Sequence, residues 1–73
     1  MFIEVNKYCY KENPVGVFYD YEKTEKMYIN ADCIKFIKES TYGSMLFVSF
    51  DGEKFLVKET PKELMKYLGE DKW

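Results

Sequence analysis

The segment from Met45 to Gly69 constrains the fold of this chain more than any other. Met45 to Phe50 and Glu53 to Lys58 are apolar-rich runs separated by Asp51-Gly52, the two-residue signal of a type I′ hairpin turn. The second run passes through Glu59 into Thr60-Pro61-Lys62-Glu63, which offers an N-cap hydroxyl, a proline at the first helical position and a capping-box glutamate. Leu64, Met65, Tyr67 and Leu68 follow near helical spacing, and Gly69 supplies the stop. A helix this short is not stable alone in water, so it must dock on a sheet. The sequence therefore predicts a hairpin that feeds a short helix over 61–68.

The turn also predicts which side chains share a face. A two-residue loop pairs Phe50 with Glu53, Val48 with Phe55 and Leu46 with Val57. Leu46, Val48, Phe50, Phe55 and Val57 then form the core face, while Met45, Phe47, Ser49, Lys54, Leu56 and Lys58 take the other. That second face is half polar, yet Met45, Phe47 and Leu56 are too apolar to stand uncovered in water. Either the N-terminal hairpin closes over them or a partner does.

Upstream, an apolar run from Phe2 to Tyr10 ends in the turn chemistry of Lys11-Glu12-Asn13-Pro14. Val15, Val17, Tyr19 and Tyr21 alternate with Gly16, Phe18, Asp20 and Glu22, a strand period with aromatics on both faces. Glu22 to Lys26 reads as a charged turn, Met27 to Ile29 as a short strand, Asn30-Ala31-Asp32 as a turn, and Ile34 to Lys38 as the next strand. The expected fold class is mainly β (α+β): about five antiparallel strands near 2–10, 15–22, 27–38, 45–50 and 53–58, as a small sheet or open barrel, with one short C-terminal helix. At 73 residues the chain allows a single domain. Folding at that size buries only roughly 60% of the unfolded chain's surface, so the core must be dense. Fourteen aromatics, each able to bury ~150–250 Å², are the means.

Composition excludes several kinds of chemistry. All eleven cations are lysine, and there is no His, Arg or Gln. Without His, the commonest general base and metal ligand is missing, and Ser–His or Cys–His nucleophile pairs cannot form within the chain. Without Arg, bidentate recognition of phosphate or guanine is lost. A net charge of −2 argues against affinity built on neutralising a phosphate backbone. Cys9 and Cys33 form no CxxC and have no other soft ligand nearby, so no metal site and no cofactor is expected. Glu4 directly follows Met1-Phe2-Ile3, which leaves no signal-peptide apolar region, and no run is long enough to insert in a membrane. The expectation is a cytoplasmic, non-catalytic protein with reduced thiols. Gly16, Gly43, Gly52 and Gly69 are isolated and make no phosphate loop.

Tyr28-Ile29-Asn30-Ala31, Ile34-Lys35-Phe36-Ile37-Lys38-Glu39, Leu46-Phe47-Val48 and the run from Asp51-Gly52 to Thr60 together resemble the FlbD/SwrD family. These are small bacterial proteins associated with flagella and swarming, and the resemblance covers residues 28–68. It implies a bacterial accessory protein acting through other proteins. Ile34 to Ile37, Asp51 to Thr60 and Glu63-Leu64 also look similar to the first half of a LytTR-type DNA-binding domain. In that family the contacting segments follow the helix, so this second resemblance implies a strand order and not DNA binding.

Interfaces favour Tyr, Trp, Phe and Met, and the chain has eighteen of these residues. The expected partner is an unidentified protein or a second copy, met through Tyr19, Tyr21, Met45, Phe47, Leu56 and Trp73. The alternative is weak single-stranded nucleic-acid binding. Tyr8, Tyr10, Phe18, Tyr19 and Tyr21 would stack bases, with Lys7, Lys11, Lys23 and Lys26 nearby.

Overall fold

The computed structural model describes residues 1–49 and 52–69. Five antiparallel strands form one open sheet, and one short helix closes the chain. β1 (Phe2–Asn13) and β2 (Gly16–Asn30) make a long hairpin, while β3 (Phe36–Ser40), β4 (Gly43–Phe47) and β5 (Lys54–Val57) make a meander. The spatial order is β2-β1-β5-β4-β3, so the two units join where β1 meets β5 and the edges are β2 and β3. The barrel alternative is not adopted.

The hairpin of β4 and β5 forms in a different register from that of the two-residue loop. Ser44 faces Val57, Met45 faces Leu56, Leu46 faces Phe55 and Phe47 faces Lys54. Beyond the ladder, the Val48 N–H donates to the Glu53 carbonyl at 3.0 Å and the Glu53 N–H to Ser49 Oγ at 3.2 Å. These bonds widen the connection and stop the strands at Phe47 and Lys54, short of the expected 45–50 and 53–58. Phe50 and Asp51 lie outside the described residues. The opposite end holds the register: Ser44 is fully buried and its hydroxyl donates to the Glu59 carbonyl at 2.7 Å. Gly43 runs so close to β5 that a Cβ there would lie 2.1 Å from the Val57 oxygen. A slip of two residues leaves the side chains of the ladder on their expected faces, so Leu46 and Val57 remain in the core.

β2 also departs from expectation. Glu22 to Lys26 is not a turn, because β2 continues through it to Asn30. Its charges suit a solvent-facing edge: Lys7 on β1 lies opposite Glu25 and bridges it at 3.6 Å, and Lys26 reaches Glu4 at 4.0 Å. The register steps from Tyr8↔Thr24 to Cys9↔Asp20, so Tyr21, Glu22 and Lys23 form a bulge with no residue opposite. The Glu22 N–H donates to Asp20 Oδ1 at 3.1 Å, which supports the bend. The segment 27–38 is not continuous strand. A 3₁₀ turn at Ala31–Cys33 interrupts it, and the Asp32 N–H donates to Asn30 Oδ1 at 3.1 Å as a cap.

The core lies on one face of the sheet, beneath the helix α1 (Pro61–Leu68). Ile3, Val5, Ile29, Ala31, Ile34, Leu46 and Val57 meet Leu64 and Leu68 there. The helix starts with a full capping box: the Glu63 N–H donates to Thr60 Oγ1 at 3.2 Å and the Thr60 N–H to Glu63 Oε1 at 3.3 Å. Among the described residues, no helix is long and apolar enough to cross a membrane.

Candidate protein-contact surface

The sheet face away from α1 carries most of the candidate residues, and register explains how they come together. Lys7 pairs with Val57 across β1 and β5, and Leu56 pairs with Met45 across β5 and β4. One residue along, Tyr8, Leu56 and Met45 therefore form a row on the outer face. Leu56 is only 3% exposed and Tyr8 only 5%, although neither belongs to the core under the helix. Met45 is half-buried. The N-terminal hairpin thus supplies part of the cover that the second face needs.

The bulge in β2 completes that cover. It brings Tyr21 edge-on to Tyr8 at 5.7 Å and stacks it on Tyr42 at 3.7 Å. Tyr42 sits in the turn between β3 and β4, and its carbonyl accepts a 2.7 Å hydrogen bond from the Tyr8 hydroxyl. Burial, with Glu59 and the neighbouring tyrosines as lesser causes, raises the Tyr8 pKa above 10.0. Tyr19 stacks on Tyr10 at 5.2 Å and leans on Tyr21 at 6.1 Å. Its pKa is raised as well, first by burial and then by Tyr10. Five tyrosine rings thus touch in series, and Tyr10, Tyr21 and Tyr42 keep about half their surface in solvent.

A second aromatic group lies on the meander. Phe47 stacks on Phe36 at 4.2 Å, and Lys54 Nζ stands 5.7 Å from the Phe47 ring. Phe47 is half-buried by this packing, whereas Phe36 remains 44% exposed. At the hairpin base Tyr28 is exposed and its hydroxyl donates to Glu4 at 2.9 Å, which raises the Tyr28 pKa.

Of the candidate residues, Tyr19 and Tyr21 belong to the tyrosine series, Met45 and Leu56 to the buried row beside it, and Phe47 to the Phe36 stack. Trp73 lies outside the described residues. Phe36 and Tyr42 also belong to the surface. The sequence assigns no partner to the strand that holds Phe36, and neither strand nor turn to the stretch that holds Tyr42. Its signal was the Thr41-Tyr42-Gly43 sequence itself, a turn that puts an aromatic beside a glycine needed for close packing.

Chemistry at this surface is that of stacking and phenolic hydrogen bonds. Among the described residues, no group of His, Cys, Asp and Glu side chains is arranged to hold a metal ion, and no buried side-chain polar atom lacks a partner. Cys9 and Cys33 are free thiols, the first half-buried and the second exposed. No protein-family model, curated protein or solved structure matches this chain.

Proposed function

We propose that this chain is a small, non-catalytic bacterial or phage accessory protein of the cytoplasm that acts through protein–protein contacts, self-association among them. The observation that carries the reading is the ordered aromatic surface. Tyr21 and Tyr42 are packed face to face at 3.7 Å, yet each leaves nearly half its area in solvent. Rings held in place lose little conformational freedom when a partner covers them, which is how aromatic anchors contribute at interfaces. The resemblance of residues 28–68 to the FlbD/SwrD family supports the same class of function and points to a motility-related partner. The test is site-specific photo-crosslinking from position 28 or 42 in the native host. Discrete adducts that vanish with Tyr21→Ser, while the purified variant keeps its circular dichroism, are expected. A chain that forms no adduct from either position refutes the reading.

The second reading is weak binding of single-stranded nucleic acid. Lys7 Nζ lies 4.8 Å from the Tyr10 ring, beside the Tyr10–Tyr19 stack, so a cation and stacking faces do share one site. Fluorescence anisotropy with labelled single-stranded DNA and RNA at low salt decides it: a flat titration removes this reading.

A further inference from the structure

The two edges of the sheet are not equivalent. β2 is long, but the bulge at Tyr21 to Lys23 breaks its line, and its Glu25 and Lys26 already bridge to Lys7 and Glu4. Bulges and engaged charges of this kind protect an edge against pairing. β3 has no such bulge. It pairs with β4 residue for residue from Phe36↔Phe47 to Ser40↔Gly43, and its other side meets no strand among the described residues. Beside this open side, Lys35, Phe36, Ile37 and Glu39 form a groove with Pro61 and Met65 of α1. A strand edge flanked by a helix is the geometry in which an added strand gains backbone hydrogen bonds and side-chain contacts together.

The sequence of that edge fits itself. Opposed residues in an antiparallel pair must share a face, so a two-fold axis perpendicular to the sheet passes beside one residue, not between two. With the axis at Ile37, Lys35 stands opposite Glu39 of a second copy, Phe36 opposite Lys38, and Ile37 opposite Ile37. The Lys35–Glu39 ion pair forms twice, each Lys38 stem covers an exposed Phe36, and the isoleucines close the centre. With the axis at Lys38, two lysines oppose each other and Ile37 faces a glutamate. With the axis at Phe36, Lys35 faces Ile37 and Glu39 falls opposite Cys33. Of the three, only the first alignment sets opposite charges against each other.

We propose that β3 is the self-association edge of this protein. Two copies pair β3 against β3 antiparallel about Ile37, joining their sheets into one of ten strands with both helices on the same face. This identifies the partner and the surface for one form of the contact function proposed above, and it rests on that reading.

Three variants of the full chain, read by size-exclusion chromatography with light scattering, test it. The wild type is expected at twice 8.8 kDa. Lys35→Glu and Glu39→Lys each turn both ion pairs into like-charge pairs, and each is expected to weaken association roughly tenfold or more. Mixed in equal amounts, the two variants restore opposite charges at both positions and are expected to recover the dimer. Each variant's circular dichroism is compared with that of the wild type, and the doubly reversed chain, with both pairs inverted, is expected to dimerise alone. A wild type that stays monomeric at millimolar concentration overturns the proposal, while adducts from the photo-crosslinking experiment would leave the broader contact function standing. A dimer indifferent to the single reversals, or a mixture that fails to reassociate, overturns the β3 pairing and places any self-association elsewhere, with β2 the remaining edge.

Discussion

Replacing Gly43 with alanine should be the most damaging single-methyl change in the structure. Its Cβ would lie 2.1 Å from the Val57 oxygen and 2.7 Å from the Lys58 oxygen. Both contacts are with backbone, which cannot swing aside as a side chain does. Relief requires β4 to move from β5 at the point where Ser44 faces Val57 and where the Ser44 hydroxyl reaches the Glu59 carbonyl. Gly43 also has φ of +146°, a conformation that costs an L side chain about 1–3 kcal/mol. Overpacking adds about 1–3 kcal/mol more. The sum, roughly 2–6 kcal/mol, compares with a total stability of about 4–11 kcal/mol for 73 residues. Gly52→Ala is the control: φ is +100° there, but none of the described residues places an atom within 4 Å, so only the backbone cost applies. Urea melts followed by far-ultraviolet circular dichroism measure both. With a slope of about 1 kcal/mol per molar urea, Gly43→Ala should lower the midpoint by about 2 M or more, or leave the chain unfolded in buffer. Should it cost no more than Gly52→Ala, the close approach of β4 to β5 is not what holds this register.

Two further perturbations probe the join between the hairpin and the meander. The Glu59 carboxylate accepts from the Asn6 backbone N–H at 2.9 Å and from Asn6 Nδ2 at 2.8 Å, so Glu59→Ala should cost about 2–3 kcal/mol. In a double-mutant cycle with Asn6→Ala the coupling should be about 1 kcal/mol or more, and a coupling near zero in the urea melts refutes the clasp. Tyr8 predicts a loss of stability in alkali. Its pKa is raised in the fold, so its contribution is complete below about pH 10 and declines as pH rises from there towards the folded value. Tyr8→Phe should flatten that decline in urea midpoints taken between about pH 8 and pH 11, leaving the slope due to Tyr19 and Tyr28. An unchanged slope places the titrating group elsewhere.

Local signals proved most legible where one residue type carries one geometric duty. Thr60, Pro61 and Glu63 announce the helix start because each satisfies a specific need of the first turn. The alternation on β4 and β5 assigns faces correctly, since a slip of two residues cannot change them. The register itself was not legible. Asp51-Gly52 favours a tight loop, but the buried bond from Ser44 to Glu59 and the passage of Gly43 against Val57 bind the other end of the hairpin. Those are contacts between residues fourteen or more apart, invisible to a turn rule. The charged run Glu22 to Lys26 misled for a similar reason, since charge marks solvent, and an edge strand meets solvent as a turn does. The tyrosine series lay half within reach. Alternation locates Tyr19 and Tyr21 on a strand, but the bulge that turns Tyr21 onto Tyr42 depends on the register of β1 against β2 shifting between Tyr8 and Cys9.

The meeting of β1 with β5 has a consequence for how the molecule opens. The strands on either side of it are local products of the chain, each closed by its own turn, whereas this join brings Asn6 to Glu59 across fifty-three positions. Its ladder has a single paired position, Lys7 with Val57, reinforced by the Lys58 N–H donating to the Asn6 carbonyl at 2.8 Å. Loop closure makes such a join the last to form and the first to part. Opening along this seam should therefore precede global unfolding, with the amides of the two hairpin systems exchanging with solvent as two blocks. A seam that parts while both sides stay folded also permits exchange of the β1–β2 arm between copies, a route to an intertwined dimer that leaves every native contact in place.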